Sequence, residues 1–257
     1  MRGCELLPGL VLFEDCLDGD DCRALEEFAF DCVARGRSGE LRGKSYVPQP
    51  EQWLGTGQGR ETVHFGVLCK YNQVKSVNVE PLPAPLVGVL DTLEAAGVFT
   101  AAERPDTCCL NAYEEGSWLP PHCDSLAFDR PFFTLSLLSA QEALFGETIL
   151  GSRGAWELPP SAQELPVPEL IPLAKGQGGM RFTMTRGSVL RVDGAAAGPA
   201  IQHALPAASS ARMSLTFRKL GAAARAAFDA ASDAKRQAPC SHLSAHAMHG
   251  TDRRVGG

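Results

Sequence analysis

Between Thr107 and Leu220 the chain runs as a series of short apolar segments: "TCCLNAY", "PFFTLSLLS", "ETILG", "RFTMT", "GSVLRVDG", "IQHAL" and "RMSLTFRKL". Gly, Pro, Asp and Ser separate them, which is the pattern of antiparallel strands in a sandwich or jelly roll. Upstream the period changes. Leu25, Phe28, Ala29 and Cys32 follow helical spacing, with Asp20 as the expected cap and an end near Gly36. Leu86, Val89, Leu90 and Leu93 form a second apolar stripe that Gly97 stops. "ETVHFGVLCKY" alternates as a strand, and residues 36–59 read as loop. The expected fold is mainly β with flanking helices (α+β), two N-terminal helices covering one sheet.

Hydrophobic residues make up 44% of the 257, charged residues 21%, enough apolar side chain for a sizeable core. No apolar run reaches the roughly 20 residues that cross a bilayer, so no membrane partner is expected. Acidic residues interrupt the N-terminal apolar patch, against a secretory signal. The nine cysteines are scattered and form no CxxC pair. Reduced thiols in the nucleus or cytoplasm are expected rather than a zinc ribbon. The net charge is −6, not that of a strongly basic nucleic-acid binder. Its distribution is uneven: residues 35–75 carry seven basic and three acidic side chains.

Three residues have the chemistry of a metal grip. His122 and Asp124 stand two apart on an extended approach to an apolar run, so both side chains point to one side. His203 lies in the strand-like "AIQHALP". Two histidines and one carboxylate are the facial triad of non-haem Fe(II) oxygenases. Read alone, the pair is equally a solvated loop. In "RMSLTFRK", Arg212, Ser214, Thr216 and Arg218 share one face, and Met213, Leu215 and Phe217 the other. That face is either wet or turned inward, where an arginine grips a dicarboxylate. His64 alternates in its strand as a half-buried residue or a pocket residue. His242, His246 and His249 fall in the alanine-rich tail, where a solvated role is the simpler one.

The chain resembles the AlkB family of 2-oxoglutarate and Fe(II)-dependent dioxygenases, in particular the plant-type branch that demethylates N6-methyladenine in RNA. The resemblance rests on "RETVHFG" from Arg60, "CLNAYEEGSWLPPHCD" from Cys109, "FDRPFFTLSLLS" from Phe128, "LFG" from Leu144, "GSVLRVDG" from Gly187 and "RMSLTFRKL" from Arg212. Together these span about residues 41–220. It implies a double-stranded β-helix core over 101–220. A helical and nucleotide-recognition lid region, 1–100, would precede it, and a flexible tail, 221–257, would follow. It implies His122, Asp124 and His203 as catalytic iron ligands, with O2 as co-reactant. Asn111, Tyr113, Arg212, Ser214 and Arg218 would hold 2-oxoglutarate, Arg212 at its distal carboxylate. Arg60, His64 and Tyr71 would lie near the target base, with Arg42, Lys44, Lys70 and Trp53 as further contacts. The implied partner is a single-stranded or flipped nucleic acid, RNA before DNA. The implied activity is oxidative demethylation releasing formaldehyde and succinate. Repair of N1-methyladenine or N3-methylcytosine in DNA or tRNA is the alternative, and a binding module without turnover a third reading. The chain departs from the family pattern at Cys69, at Arg191 and Asp193, and in a long stretch over 151–179.

Overall fold

The computed structural model describes residues 2–160 and 179–237. The first half supplies β1 (Cys4–Leu7), β2 (Leu10–Phe13), helix α1 (Gly19–Arg37), β3 (Tyr46–Val47), β4 (Glu61–Phe65), the hairpin β5 (Leu68–Lys70) and β6 (Gln73–Ser76), and helix α2 (Ala84–Ala95). Then follow β7 (Thr107–Tyr113), β8 (Leu119–His122), β9 (Phe132–Leu137), β10 (Gln141–Gly146) and the hairpin β11 (Leu150–Ser152) and β12 (Ala155–Glu157). Strands β13 (Gly179–Met184), β14 (Val189–Val192), β15 (Gln202–Leu205) and β16 (Arg212–Arg218) lead to helix α3 (Ala222–Gln237). His242, His246 and His249, and most of the 151–179 stretch, lie outside the described residues.

The antiparallel strands form an eight-stranded sheet, β1-β2-β14-β9-β16-β7-β4-β3, and a four-stranded one, β13-β10-β15-β8. Strands from residues 1–100 therefore flank a central block from 101–220 in one sheet, two on each side. Side-chain alternation sorts the two faces of the large sheet. Leu110 of β7, Phe133, Leu135 and Leu137 of β9, and Met213, Leu215 and Phe217 of β16 join one buried cluster with Leu25, Ala29 and Cys32 of α1 and Leu86, Val89, Leu90 and Leu93 of α2. Phe133, Leu135, Leu137, Leu215 and Phe217 are wholly buried, each contributing about 1.5–3 kcal/mol. Both helices thus cover one sheet, as expected. The opposite face meets the small sheet: Leu10, Leu12, Phe132, Leu190 and Val192 pack on Ala143, Phe145 and Met184. Two sheets closed over a common interior make the jelly roll.

Four details differ from the expectation. Asp18, not Asp20, caps α1, its Oδ1 accepting the amides of Asp20 and Asp21 at 2.8 Å each. Asp20 and Asp21 then sit in the first turn, where the helix dipole favours negative charge. The segment over 36–59 is not all loop, because β3 pairs with β4 there. "ETILG" contributes only to a separate two-stranded hairpin, whereas Gln141–Gly146 is the inner strand between β13 and β15. "ETVHFGVLCKY" divides at Gly66 (φ 84°) into β4 and the first arm of the β5–β6 hairpin.

The unusual Arg191 and Asp193 have a structural role. Arg191 Nη2 donates to Glu103 at 2.8 Å and to Asp193 at 2.9 Å, tying β14 to the turn after α2. Arg191 above all, with both donors of Thr100 and against the effect of burial, holds the Glu103 carboxyl down at about 2. A carboxyl lowered on folding stabilises above its unfolded pKa, and that contribution disappears as pH falls from about 4.5 toward 2. Glu103→Gln is expected to cost about 1 kcal/mol at pH 7, the pair being partly exposed. Parent and variant should converge in thermal melts at acid pH.

Candidate active site

The interior of the roll has an apolar end and a polar wall. Phe132, Phe145, Leu190 and Val192 line the apolar end of a cavity whose polar side carries Arg60, Asn111, Tyr113, Arg212, Ser214, Thr216 and Arg218, with His122, Asp124 and His203 among its lining residues. The sheet register makes this assembly. Strand β16 lies beside β7 with Arg212 opposite Tyr113 and Ser214 opposite Asn111. In the small sheet, His203 of β15 lies opposite His122 of β8 and opposite Phe145 of β10.

His122, Asp124 and His203 each present a ligand atom, and these atoms all lie within 4.8 Å of one another. The two imidazole centroids are 4.3 Å apart, and the His203 ring stacks on Phe145 at 5.0 Å and 17°. His122 Nδ1 lies 2.8 Å from Pro120 O. A carbonyl only accepts, so Nδ1 carries the proton and Nε2 keeps its lone pair. Burial lowers both histidines, His203 to about 3, leaving neutral imidazoles at ordinary pH. Burial pushes the Asp124 carboxyl up, but Arg218 and the two histidines outweigh it and hold the group well below the usual carboxylate range. Arg218 Nη2 lies 3.2 and 3.0 Å from the two Asp124 oxygens. Two neutral imidazoles and an ionised carboxylate, each fixed by an outer partner, fit a ferrous ion.

The guanidiniums differ in their partners. Arg212 is 2% exposed; its Nη2 donates to Ser136 Oγ at 3.1 Å and its plane lies 5.2 Å from the Tyr113 ring centroid. Its Nε is buried without a partner, and no carboxylate pairs with it among the described residues. Arg60 also lies over the Tyr113 ring, at 5.7 Å, and donates to Asn111 Oδ1 at 2.6 Å. The Asn111 amide donates to Ser214 Oγ and Thr216 Oγ1, at 3.3 Å each. Arg60 and Arg212 thus bring two cations to one wall, and their side-chain hydrogen bonds run to the neutral Asn111 and Ser136.

The remaining sequence candidates are more dispersed. His64 pairs across the sheet with Cys109 and lies 3.1 Å from Thr62 Oγ1, away from the cavity lining. Burial pushes the Cys109 thiol up, and His64, Arg218 and Arg60 bring it back to about 7. Tyr71 is 78% exposed at the tip of the β5–β6 hairpin. Trp53 packs over Gly59, and Arg42 donates to Asn78. Arg130 is a functional residue that the sequence patterns do not single out. Its guanidinium donates to the carbonyls of Asp124, Ser125 and Phe128 at 3.2, 3.2 and 2.8 Å, holding the loop that carries Asp124. An arginine before a proline just ahead of an apolar strand is the only trace of this in the sequence.

No family model matches the chain. It is 31% identical over 229 residues to RNA demethylase ALKBH9B of Arabidopsis thaliana, covering 84% of this chain and 40% of that protein. It is 26% identical over 225 residues to RNA demethylase ALKBH10B of the same plant, covering 84% and 35%. The chain therefore spans less than half the length of these two relatives. Among solved structures, "The structure of OsALKBH1" superposes with a TM-score of 0.54 at 17% identity, covering 85% of this chain and 100% of that one, a likeness of fold. The sequence likeness to these two plant RNA demethylases runs through most of the chain, and the fold is shared with OsALKBH1.

Proposed function

We propose that the chain is an Fe(II)- and 2-oxoglutarate-dependent oxidative demethylase of N-methylated nucleobases in RNA, with N6-methyladenosine the favoured substrate. The observation that carries the reading is Arg212, a buried cation with an orphaned Nε and no counter-charge among the described residues. Such a group is costly until an anion reaches it. A dicarboxylate supplies one, through charge-assisted hydrogen bonds. The likeness to two plant proteins named RNA demethylases supports the substrate class.

In this reading His122, Asp124 and His203 hold the ferrous ion, and three protein ligands leave coordination positions for cosubstrate. Once bound, iron with 2-oxoglutarate and O2 supplies the oxidation of an N-methyl group, which leaves as formaldehyde while the keto acid ends as succinate and CO2. The chain's own groups orient and exclude. Pro120 fixes the His122 tautomer, Arg218 keeps Asp124 ionised, and Arg130 holds the loop that carries Asp124. Arg212, with Tyr113 and Ser214, receives the distal carboxylate, and Asn111 braces that wall. Phe132, Phe145, Leu190 and Val192 keep water from the apolar part of the cavity, Phe145 stacked directly on His203. The methylated base reaches this interior only when unstacked, so a single strand or a flipped nucleotide is the substrate form. Arg60 in the wall and Tyr71 and Lys70 at the hairpin are its nearest contacts in this reading, with His64 behind them.

A panel of oligonucleotides carrying N6-methyladenosine, N1-methyladenine or N3-methylcytosine, as RNA and as DNA, tests the reading by mass spectrometry of the bases and by formaldehyde release. Loss of methyl from N6-methyladenosine in RNA is expected. Turnover confined to N1-methyladenine or N3-methylcytosine would replace the substrate. No turnover, with no conversion of 2-oxoglutarate to succinate under iron and ascorbate, would overturn the enzyme.

A further inference from the structure

The β5–β6 hairpin stands outside both large sheets. It turns on Tyr71 and Asn72, whose φ angles are 54° and 58°. A two-residue turn with the twist of a hairpin requires positive φ at both places, which Gly, Asn and Asp meet most cheaply. Asn72 is at home there. Tyr71 is not: a bulky side chain in that conformation costs about 1 kcal/mol. The fold gains little in return: the ring is 78% exposed, and its contact with Lys70 Nζ at 5.2 Å is a cation–π pair at the surface, where such a pair is weakest. Strain kept at an exposed aromatic points to a use outside the fold.

The tip also leans on a second loop. Asn72 Oδ1 accepts the Leu126 amide at 2.8 Å. Leu126 comes two residues after Asp124, and its own side chain is 68% exposed. Arg130 grips the same loop through its carbonyls, so the loop is a firm abutment. Two large exposed apolar side chains, from elements far apart in sequence, are thus joined beside the metal-ligand loop by a single side-chain acceptor.

We propose that Asn72 is a positioning residue that docks the hairpin tip onto the Asp124 loop, so that Tyr71 and Leu126 together seat an unstacked nucleotide flanking the target base. The proposal rests on the nucleic-acid reading above. A single strand offers bare base faces, and stacking one on an aromatic ring is worth about 1–3 kcal/mol. Lys70 beside the ring adds a charge for the phosphate. A free hairpin would have to be ordered on every encounter; the docked one is already placed.

Asn72→Gly keeps the left-handed turn and removes the acceptor, while Asn72→Asp keeps both. Hydrogen exchange at the Leu126 amide reads the tie without turnover, and should be faster in Asn72→Gly and parent-like in Asn72→Asp. A fluorescein-labelled single-stranded oligoribonucleotide containing N6-methyladenosine should bind roughly three- to tenfold more weakly to Asn72→Gly. Its KM should rise in step, with kcat at saturation and oligonucleotide-free succinate formation unchanged. At raised salt, where the added charge is screened, Asn72→Asp should recover most of the affinity. Parent-like affinity in Asn72→Gly, unchanged Leu126 exchange, or a fall in oligonucleotide-free succinate formation would each overturn the proposal. A parent protein that converts 2-oxoglutarate but binds no oligonucleotide would instead overturn the nucleic-acid reading on which it rests.

Discussion

Asp124→Asn is expected to remove turnover and destabilise the protein, whereas His122→Gln is expected to remove turnover alone. Both take a ligand from the triad, and succinate formation should fall at least roughly 100-fold in each, more than the loss of an outer partner of a metal ligand costs. Their difference lies in what remains behind. Asp124 is the carboxylate partner of Arg218, with oxygens at 3.2 and 3.0 Å, and both side chains are largely buried. Arg218 Nε already lacks a partner. Removing one member of such a pair costs about 3 kcal/mol, or a midpoint lower by roughly 6–10 °C in a domain of this size. His122 is neutral, and its ring nitrogen bonds only a local carbonyl, so the metal-free melt of its variant should match the parent. Mn(II), a redox-silent stand-in, should raise the parent midpoint, by about 2.7 kcal/mol at a hundredfold excess over Kd, and neither variant's. Retained turnover in either variant would remove that residue from the ligand set. A parent-like metal-free melt for Asp124→Asn would show that Arg218 finds another counter-charge.

The parts of the fold legible in the sequence are those with a local period. The two faces of β16 follow from alternation: Met213, Leu215 and Phe217 enter the helix-side core while Arg212, Ser214, Thr216 and Arg218 line the cavity. The stripe over Leu86–Leu93 likewise lies in that core. What escaped depends on contacts between distant segments. Strand β10 reads poorly because "QEALFG" has little alternation, and its place comes from having a neighbour on each side. Arg130 acts on backbone carbonyls of an irregular loop, and carbonyls leave no signature in side-chain identity. The β5–β6 turn lacks the Asn-Gly pair that would announce it. The histidines show the same divide. The two-residue spacing of His122 and Asp124 is local, but the meeting of His203 with His122 is set by the pairing of β15 with β8. His64 sits on the cavity-side face of its strand, yet its depth along the sheet, opposite Cys109, is a matter of register.

Arg212→Met is expected to raise the 2-oxoglutarate requirement roughly 100-fold while leaving the metal-free protein as stable as the parent or more so. In the ligand-free state the guanidinium is 2% exposed, bonded by Nη2 to a neutral hydroxyl, and orphaned at Nε. Burial draws its pKa down from the usual arginine range, and only Tyr113 among its neighbours opposes this. A charge held so is a standing cost, and methionine fills similar space without it, a gain of about 1 kcal/mol or more by analogy with buried ion pairs replaced by apolar residues. The same charge becomes favourable when a carboxylate arrives, since hydrogen bonds to charged groups are worth about 1.5–3 kcal/mol, the upper part of which is the hundredfold change in apparent affinity. Stability and cosubstrate binding should therefore move in opposite directions in one variant, as expected where a strained site serves function. The checks are KM for 2-oxoglutarate in the uncoupled reaction and the unfolding midpoint without ligand. At saturating 2-oxoglutarate kcat should largely recover, because in the proposed pose Arg212 meets the end of the keto acid remote from His122, Asp124 and His203. An unchanged KM would place the distal carboxylate elsewhere. A marked loss of stability would mean that Arg212 has a structural partner, and that the interior is not waiting for an anion.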